Sequence, residues 1–254
     1  EETGERGMGA TRTRVRVLDG IDAVRDTLAA LPDELRSTAF QHASWIDCWL
    51  AGEGHSQRRM VLALAENVAD GRPLFALPLV LDTFGPAAYW TALDLGVCDY
   101  NASFAAPDFR PTTPEMRSIW TRIVAALPDH ADFLMIDKLP TAISGRTEPL
   151  LELPGLRRSH VLRHSLRLDA DFATLRDTRF SGTTMRSLAR KRRKLVRKGW
   201  LTFSISTGEE ALGPLERLLG WRGDRYGVRA DVDALYRRLI AARDPAPVAS
   251  LALD

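Results

Sequence analysis

Residues 181–206 read SGTTMRSLARKRRKLVRKGWLTFSIS, a strongly basic helix followed by a strand. Eight of the thirteen residues from Arg186 to Lys198 are basic; without them the net charge of the 254-residue chain would fall from +2 to −6. The rest of the chain is therefore mildly acidic, and the positive charge is concentrated in one element. Ser181, Thr183 or Thr184 can supply the side-chain oxygen that accepts an orphan backbone N–H at the helix start. Met185, Leu188, Ala189, Leu195 and Val196 recur at three- and four-residue spacing and define one face. Arg186, Arg190, Arg193 and Arg197 line another. Gly199 suits the left-handed residue that stops a helix, and the basic last turn complements the helix dipole. Leu201, Phe203 and Ile205 then alternate with Thr202, Ser204 and Ser206, which predicts a half-buried strand. The charge run has three readings: a solvated helix face with counter-charges elsewhere, a nucleic-acid surface, or a local anion site using Arg186, Arg190, Arg193 and Lys194.

Composition narrows the class. With 45% hydrophobic and 27% charged residues, the chain resembles ordinary globular proteins and can bury a real core. No run of eighteen apolar residues exists, so no transmembrane segment is expected. The first fourteen residues are polar and charged, unlike a secretory leader, and a cytoplasmic location is expected. Cys48 and Cys98 form no disulfide framework and read as buried thiols. No phosphate-loop, dinucleotide, zinc-protease or nucleophile-elbow motif occurs. His160 and His164 would lie on one face of a strand but ~13 Å apart, too far to share a metal, and no metal site is expected. Arg6-Gly7-Met8-Gly9-Ala10 lacks the preceding strand that a phosphate-cradling loop needs.

Residues 1–13 read as a loose terminus. The spacing predicts a strand over Val15–Leu18, helices over Ile21–Leu31 and Ala43–Ala51, and strands over Met60–Ala65 and Leu74–Leu81 joined by the turn Ala69-Asp70-Gly71. A third strand over Ala87–Leu93, a helix over Pro114–Leu127 and buried strands over Phe133–Ile136 and Leu162–Leu168 follow. Asp99, Tyr100 and Asn101 place a carboxylate, a phenol and an amide together in a loop, where they could hydrogen-bond a substrate or form an Asx-type turn. After the basic segment, Thr207-Gly208-Glu209-Glu210 opens a helix with Ala211, Leu212, Leu215, Leu218 and Leu219 inward. Trp221–Gly227 reads as a loop, Asp231 as the cap of a helix over Val232–Ala242, and Val248–Leu253 as a strand left with an unpaired edge. That edge could support a homo-oligomer. The pattern is α/β (α+β), a mixed sheet flanked by helices.

Several stretches together resemble the CelD-like branch of the GNAT acyltransferase superfamily. They are Phe40-Gln41-His42-Ala43-Ser44-Trp45, Leu74-Phe75-Ala76-Leu77-Pro78-Leu79 as an apolar strand ending in a Leu-Pro-Leu turn, Asp99-Tyr100, Asp132-Phe133-Leu134, and Ser181, Arg186, Arg190, Arg193, Lys194, Leu195 and Gly199. The likeness runs from about residue 35 to the end. It implies two tandem GNAT-like halves, residues 14–170 and 171–254, the second incomplete, related to the Fem aminoacyltransferases. It also implies transfer of an acyl group from acetyl-CoA or another acyl-CoA to an amine or hydroxyl of a small-molecule, glycan or peptide acceptor, in cell-envelope or exopolysaccharide metabolism. Asp99, Tyr100 and Asn101 would face the acceptor, and Arg186, Arg190, Arg193 and Lys194 an anion. No residue identifies itself as the general base, and the loop that would hold the acyl-CoA diphosphate is not found. Where the family has a His-x-x-Arg-Trp-like element, this chain has Leu219-Gly220-Trp221-Arg222. Two other classes remain open: an aminoacyl-tRNA-dependent or RNA-binding protein that uses the basic helix, and a non-catalytic interaction module.

Overall fold

A computed structural model describes residues 12–52, 58–94, 96–128, 131–143, 145–159, 171–242 and 247–253. In chain order it contains β1 (Thr13–Asp19), α1 (Ile21–Ala30), α2 (Ala43–Leu50), β2 (Met60–Asn67), β3 (Pro73–Phe84), β4 (Ala87–Ala92), β5 (Phe104–Ala105), α3 (Thr113–Ala126) and β6 (Phe133–Met135). The small hairpin of β7 (Ala142–Ile143) and β8 (Arg146–Thr147) follows. Then come α4 (Phe172–Arg179), α5 (Gly182–Val196), β9 (Leu201–Ser206), α6 (Leu212–Tyr226), α7 (Ala230–Ala241) and β10 (Val248–Leu253).

The main sheet has six strands in the order β1-β2-β3-β4-β6, with β5 also on β3. Neighbours are antiparallel except β4 and β6, which run parallel with α3 between them in the chain. Met60 to Ala65 on β2 and Leu74 to Val80 on β3 are buried at nearly every position. Strands covered on both faces lose the polar alternation of a half-exposed strand, which explains these continuous apolar runs. Edge strand β1 alternates instead, and its exposed Arg14 and Arg16 both grip the buried Glu66. Burial pushes the Glu66 carboxyl up, but the two guanidiniums outweigh it and hold it below its ordinary range.

The second flank of β3 is shared. Its first half pairs with β5 (Phe75↔Ala105, Ala76↔Phe104) and its second with β4, from Leu79↔Ala92 to Phe84↔Ala87. Leu77 and Pro78 fall between the two partners. The Leu81 N–H donates to Arg59 on the β2 side, while the Leu74 carbonyl accepts from Ala106 on the other. Even-numbered β3 residues therefore face the β4/β5 flank, and at Pro78 that flank has no N–H to offer. The ladder opens there into a notch. Leu77-Pro78-Leu79, expected at a strand end, is instead the middle of a twelve-residue strand.

Several other expectations are corrected. Phe133 and Met135 are exposed, because β6 is the sheet edge, and the Phe133 ring stacks on Tyr89 at 5.0 Å. Trp221–Tyr226 belongs to α6 rather than to a loop. Leu212 and Leu218 are exposed, and Ala211, Leu215 and Leu219 make the inward stripe. Arg229, not Asp231, is the N-cap position of α7. α5 ends at Val196 with Arg197 still right-handed (φ −71°), short of Gly199. β10 pairs along one edge with β9 in an antiparallel ribbon, Val248 opposite Ser206, and its second edge has no partner strand among the described residues. β9 itself is not half-buried, since Phe203 and Ile205 lie exposed. The residues of the expected strand 162–168 and His160/His164 lie outside the described residues, as does the segment 6–10.

One late helix joins the early core. Val232, Leu235 and Leu239 of α7 belong to the same apolar cluster as β2, β3 and α2, and Arg238 Nε donates to the Cys48 carbonyl at 2.8 Å. That carbonyl lies in the last turn of α2, where main-chain acceptors have no partner within the helix. α5, by contrast, contains no buried residue. Phe75→Ala should therefore cost about 3–5 kcal/mol, as large-to-small core changes do. Leu188→Ala on α5 should stay within about 0.5 kcal/mol. Urea unfolding of both variants checks the contrast.

Candidate functional site

The notch in β3 is filled from three directions. Phe40 and Gln41 come from a short 3₁₀ turn before α2, Leu77 and Pro78 from β3, and Cys98, Tyr100 and Asn101 from the loop after β4. Together they line an open cleft of about 30 Å³. A space of that size holds about one water. Phe40 packs edge-on against Trp45 at 5.0 Å and, on its other side, against Tyr100 at 6.4 Å.

Gln41 locks this arrangement. Its side-chain oxygen accepts from Ser37 N (2.6 Å) and Thr38 N, and its amide nitrogen donates to the Ala102 carbonyl (3.0 Å). The loop after β4 is thereby tied to the turn before α2. A second lock sits at the other end of the loop. Asp94 accepts from Val97 N (2.9 Å), Cys98 N (3.0 Å) and Lys138 Nζ (2.6 Å). Lys138 also donates to the Cys98 carbonyl, and its own carbonyl accepts from Asn101 N. Asp94 and Lys138 follow β4 and β6, so the pair clamps the carboxyl ends of the two parallel strands, where open α/β sheets place ligands. Lys138 is the one non-glycine residue with positive φ (54°) among the described residues.

Burial would push the Asp94 carboxyl up, but the Lys138 ammonium and the Cys98 N–H outweigh it and hold it below 3.8. Burial pushes the Cys98 thiol up to about 12, with the nearby Asp94 charge adding to the rise. Cys98 thus stays a thiol at neutral pH and is no nucleophile. Glu148 is buried with no cation paired to it among the described residues, and it accepts hydrogen bonds from Ser103 N, Ser103 Oγ (2.6 Å) and Leu150 N. Burial raises its pKa. The N-terminus of α3 offers no anion site, because Glu115 already accepts from Thr112 N and Oγ there.

The residues expected at a site are divided. Tyr100 lines the cleft and Asp99 is exposed beside it. Asn101 is buried, and its amide donates to Asp137 (3.1 Å to Oδ1) and, at 3.4 Å, to Asp94, so it anchors the loop. Arg186, Arg190, Arg193 and Lys194 lie exposed on α5, and no ion pair or hydrogen bond links them to Asp99 or Asn101 among the described residues. Among the described residues no group of acidic, His and Cys side chains could hold a metal, and no helix is long and apolar enough to cross a membrane. Asp94 and Lys138 were not singled out from the sequence, and Gln41 was named only within the Phe40–Trp45 stretch. The signal for the first two was a charge just after each of two apolar strands, Asp94 after Leu93 and Lys138 after Ile136-Asp137.

Asp94 and Glu148 should leave opposite marks on stability. The depressed pKa of Asp94 contributes stability above about pH 3.8 that is lost as the pH falls through the lower folded value. The raised pKa of Glu148 stabilises below about pH 4.5 and loses that contribution as pH rises through the higher folded value. Asp94→Asn should cost roughly 2–3 kcal/mol at pH 7 and flatten the acid limb, since it strands Lys138. Glu148→Gln should remove the decline above pH 4.5. Urea titrations from about pH 3 to 8 resolve both.

Compared with family models, curated proteins and solved structures, the chain matches none.

Proposed function

We propose that the chain is an acyltransferase, using acyl-CoA as donor and taking the amine or hydroxyl of its acceptor into the cleft at the β3 notch. The observation that carries this reading is convergence. Phe40-Gln41, Leu77-Pro78 and Tyr100, which lie in three of the stretches that resemble CelD-like proteins, are far apart in sequence and line one cleft. The element order supports it as well: a strand, two helices, an antiparallel strand trio, a helix and a strand parallel to the third of that trio.

In the proposed reaction the acceptor nitrogen or oxygen attacks the thioester carbonyl. A C–N or C–O bond forms, the C–S bond breaks, the acceptor loses its proton and the CoA sulfur gains one. The proposed transfer is direct, a reading supported by the burial of Cys98, the cleft's cysteine, which also pushes its thiol up. Tyr100 contacts the acceptor from the cleft wall, and Asp99 draws a cationic amine towards its mouth. Asp94, Lys138 and Gln41 hold the loop that presents both. The α5 arginines are not assigned to the donor. Arg186 to Arg197 spans about 16 Å along a helix, a line rather than a convergent clamp for one diphosphate.

The test is thiol release from acetyl-CoA with a panel of amines, amino sugars and short peptides, alongside calorimetric titration of acetyl-CoA. Saturable binding and acceptor-dependent release are expected. Tyr100→Phe and Asp99→Asn should each lower kcat/KM about tenfold or more while unfolding at the wild-type urea concentration. Absence of both binding and release would sink the proposal.

A further inference from the structure

We infer that α5 and the β9/β10 ribbon form a docking surface for an anionic phospholipid bilayer, a proposal independent of the acyl-transfer reading. α5 is fifteen residues long and none of them is buried. A helix of that length is marginal in water without a packed apolar face. Its sequence provides such a face. Leu188, Leu195 and Val196, with Met185, fall within an arc of about 100°. On the helix wheel Arg186, Arg190, Arg193 and Arg197 fall within about 60° on the other side. Arg192 alone lies within the apolar arc, and its long stem lets the charged head reach past its neighbours.

No carboxylate pairs with any of the eight cations of Arg186–Lys198 among the described residues, so the counter-charge must come from elsewhere. The apolar side is equally open: Leu188 is 47% exposed and Val196 48%. Next along the chain come Trp200 (79%), Phe203 (64%) and Ile205 (65%), also exposed, the last two on one face of β9. Opposite Ile205, Ala249 is exposed too. An aromatic and aliphatic surface flanked by a cationic stripe is complementary to one environment in particular. Anionic headgroups meet the arginines while the acyl boundary receives the Leu, Val and Trp side chains. RNA would satisfy the cations alone and leave Leu188, Leu195 and Val196 in water.

The test uses the chain as it stands with extruded vesicles of neutral phosphatidylcholine, or of the same lipid with 30% phosphatidylglycerol, read by co-sedimentation. Binding to the anionic vesicles only is expected, with a blue shift of tryptophan emission that Trp200→Phe removes. R190Q/R193Q should weaken binding by roughly fivefold per charge removed. L195Q/V196Q, which leaves the net charge unchanged, should weaken it about tenfold. Circular dichroism in buffer should be unchanged for both pairs, since they sit on exposed positions of good helix-forming type. The proposal is overturned if anionic vesicles are not bound. It is equally overturned if L195Q/V196Q binds them like the parent chain while polyuridylate is held with an affinity that only R190Q/R193Q reduces. That pair of results would make the helix a nucleic-acid surface.

Discussion

The missing N–H of Pro78 constrains this structure more than any bond it makes. A strand buried on both faces and bonded along one edge to β2 would ordinarily be bonded along the other edge too, because a buried donor without a partner costs about 1–3 kcal/mol. At Pro78 there is no donor to satisfy. The flank can therefore change partners, from β5 before it to β4 after it, with no N–H of that residue left unpaired. Everything that makes the cleft follows: the loop carrying Cys98 and Tyr100 lies beside the gap, the turn carrying Phe40 and Gln41 lines it too, and Tyr100 becomes part of its wall.

The same chain holds two regions built on different rules. Around β2 and β3 the apolar surface is satisfied from within, and α7 is recruited from far along the sequence to complete it, through Val232, Leu235 and Leu239. α6 and α7 add a small second cluster of Ala211, Leu215, Leu219 and Ile240. α5 follows the opposite rule, with the correct periodicity and no buried residue, and the ribbon reaches the second cluster only through Val248 while Phe203 and Ile205 stay exposed. Their apolar residues are as regular as those of α1, yet Val24 and Leu28 of α1 are fully covered while Leu188 and Val196 are not. Periodicity reports that a face exists; it does not report what meets it.

That distinction decides how much was legible in the sequence. The early strands and helices were readable because tertiary packing agrees with local pattern there, from Val15 to Leu127, as did the mixed sheet flanked by helices. Phe133–Ile136 misled because an apolar run looks the same in a central strand and at an edge. Trp221–Gly227 misled because its glycines and charges imitate a loop, whereas Gly227 (φ 83°) alone is the stop, one residue past the helix. In the cleft, Tyr100 was visible as chemistry, but Asp94 and Lys138 were not, because their importance lies in a pairing across 44 positions.

The Asp94–Lys138 pair itself is best understood as a device for shape. Asp94 is almost wholly covered while Lys138 keeps a third of its side chain in water, so much of the attraction between them offsets the cost of burying the carboxylate. Stability alone would be served as well by two apolar side chains. An apolar pair, however, could not hold Lys138 at φ 54°, a conformation that costs of order 1–3 kcal/mol and persists only where surroundings over-determine it. Here three directional bonds do so: the ammonium to Asp94, the ammonium to the Cys98 carbonyl, and the Lys138 carbonyl to Asn101 N. Directionality fixes the turn after β6, the turn fixes Asn101, and Asn101 fixes the neighbouring residues that face the cleft. The ion pair contributes little net energy and most of the geometry.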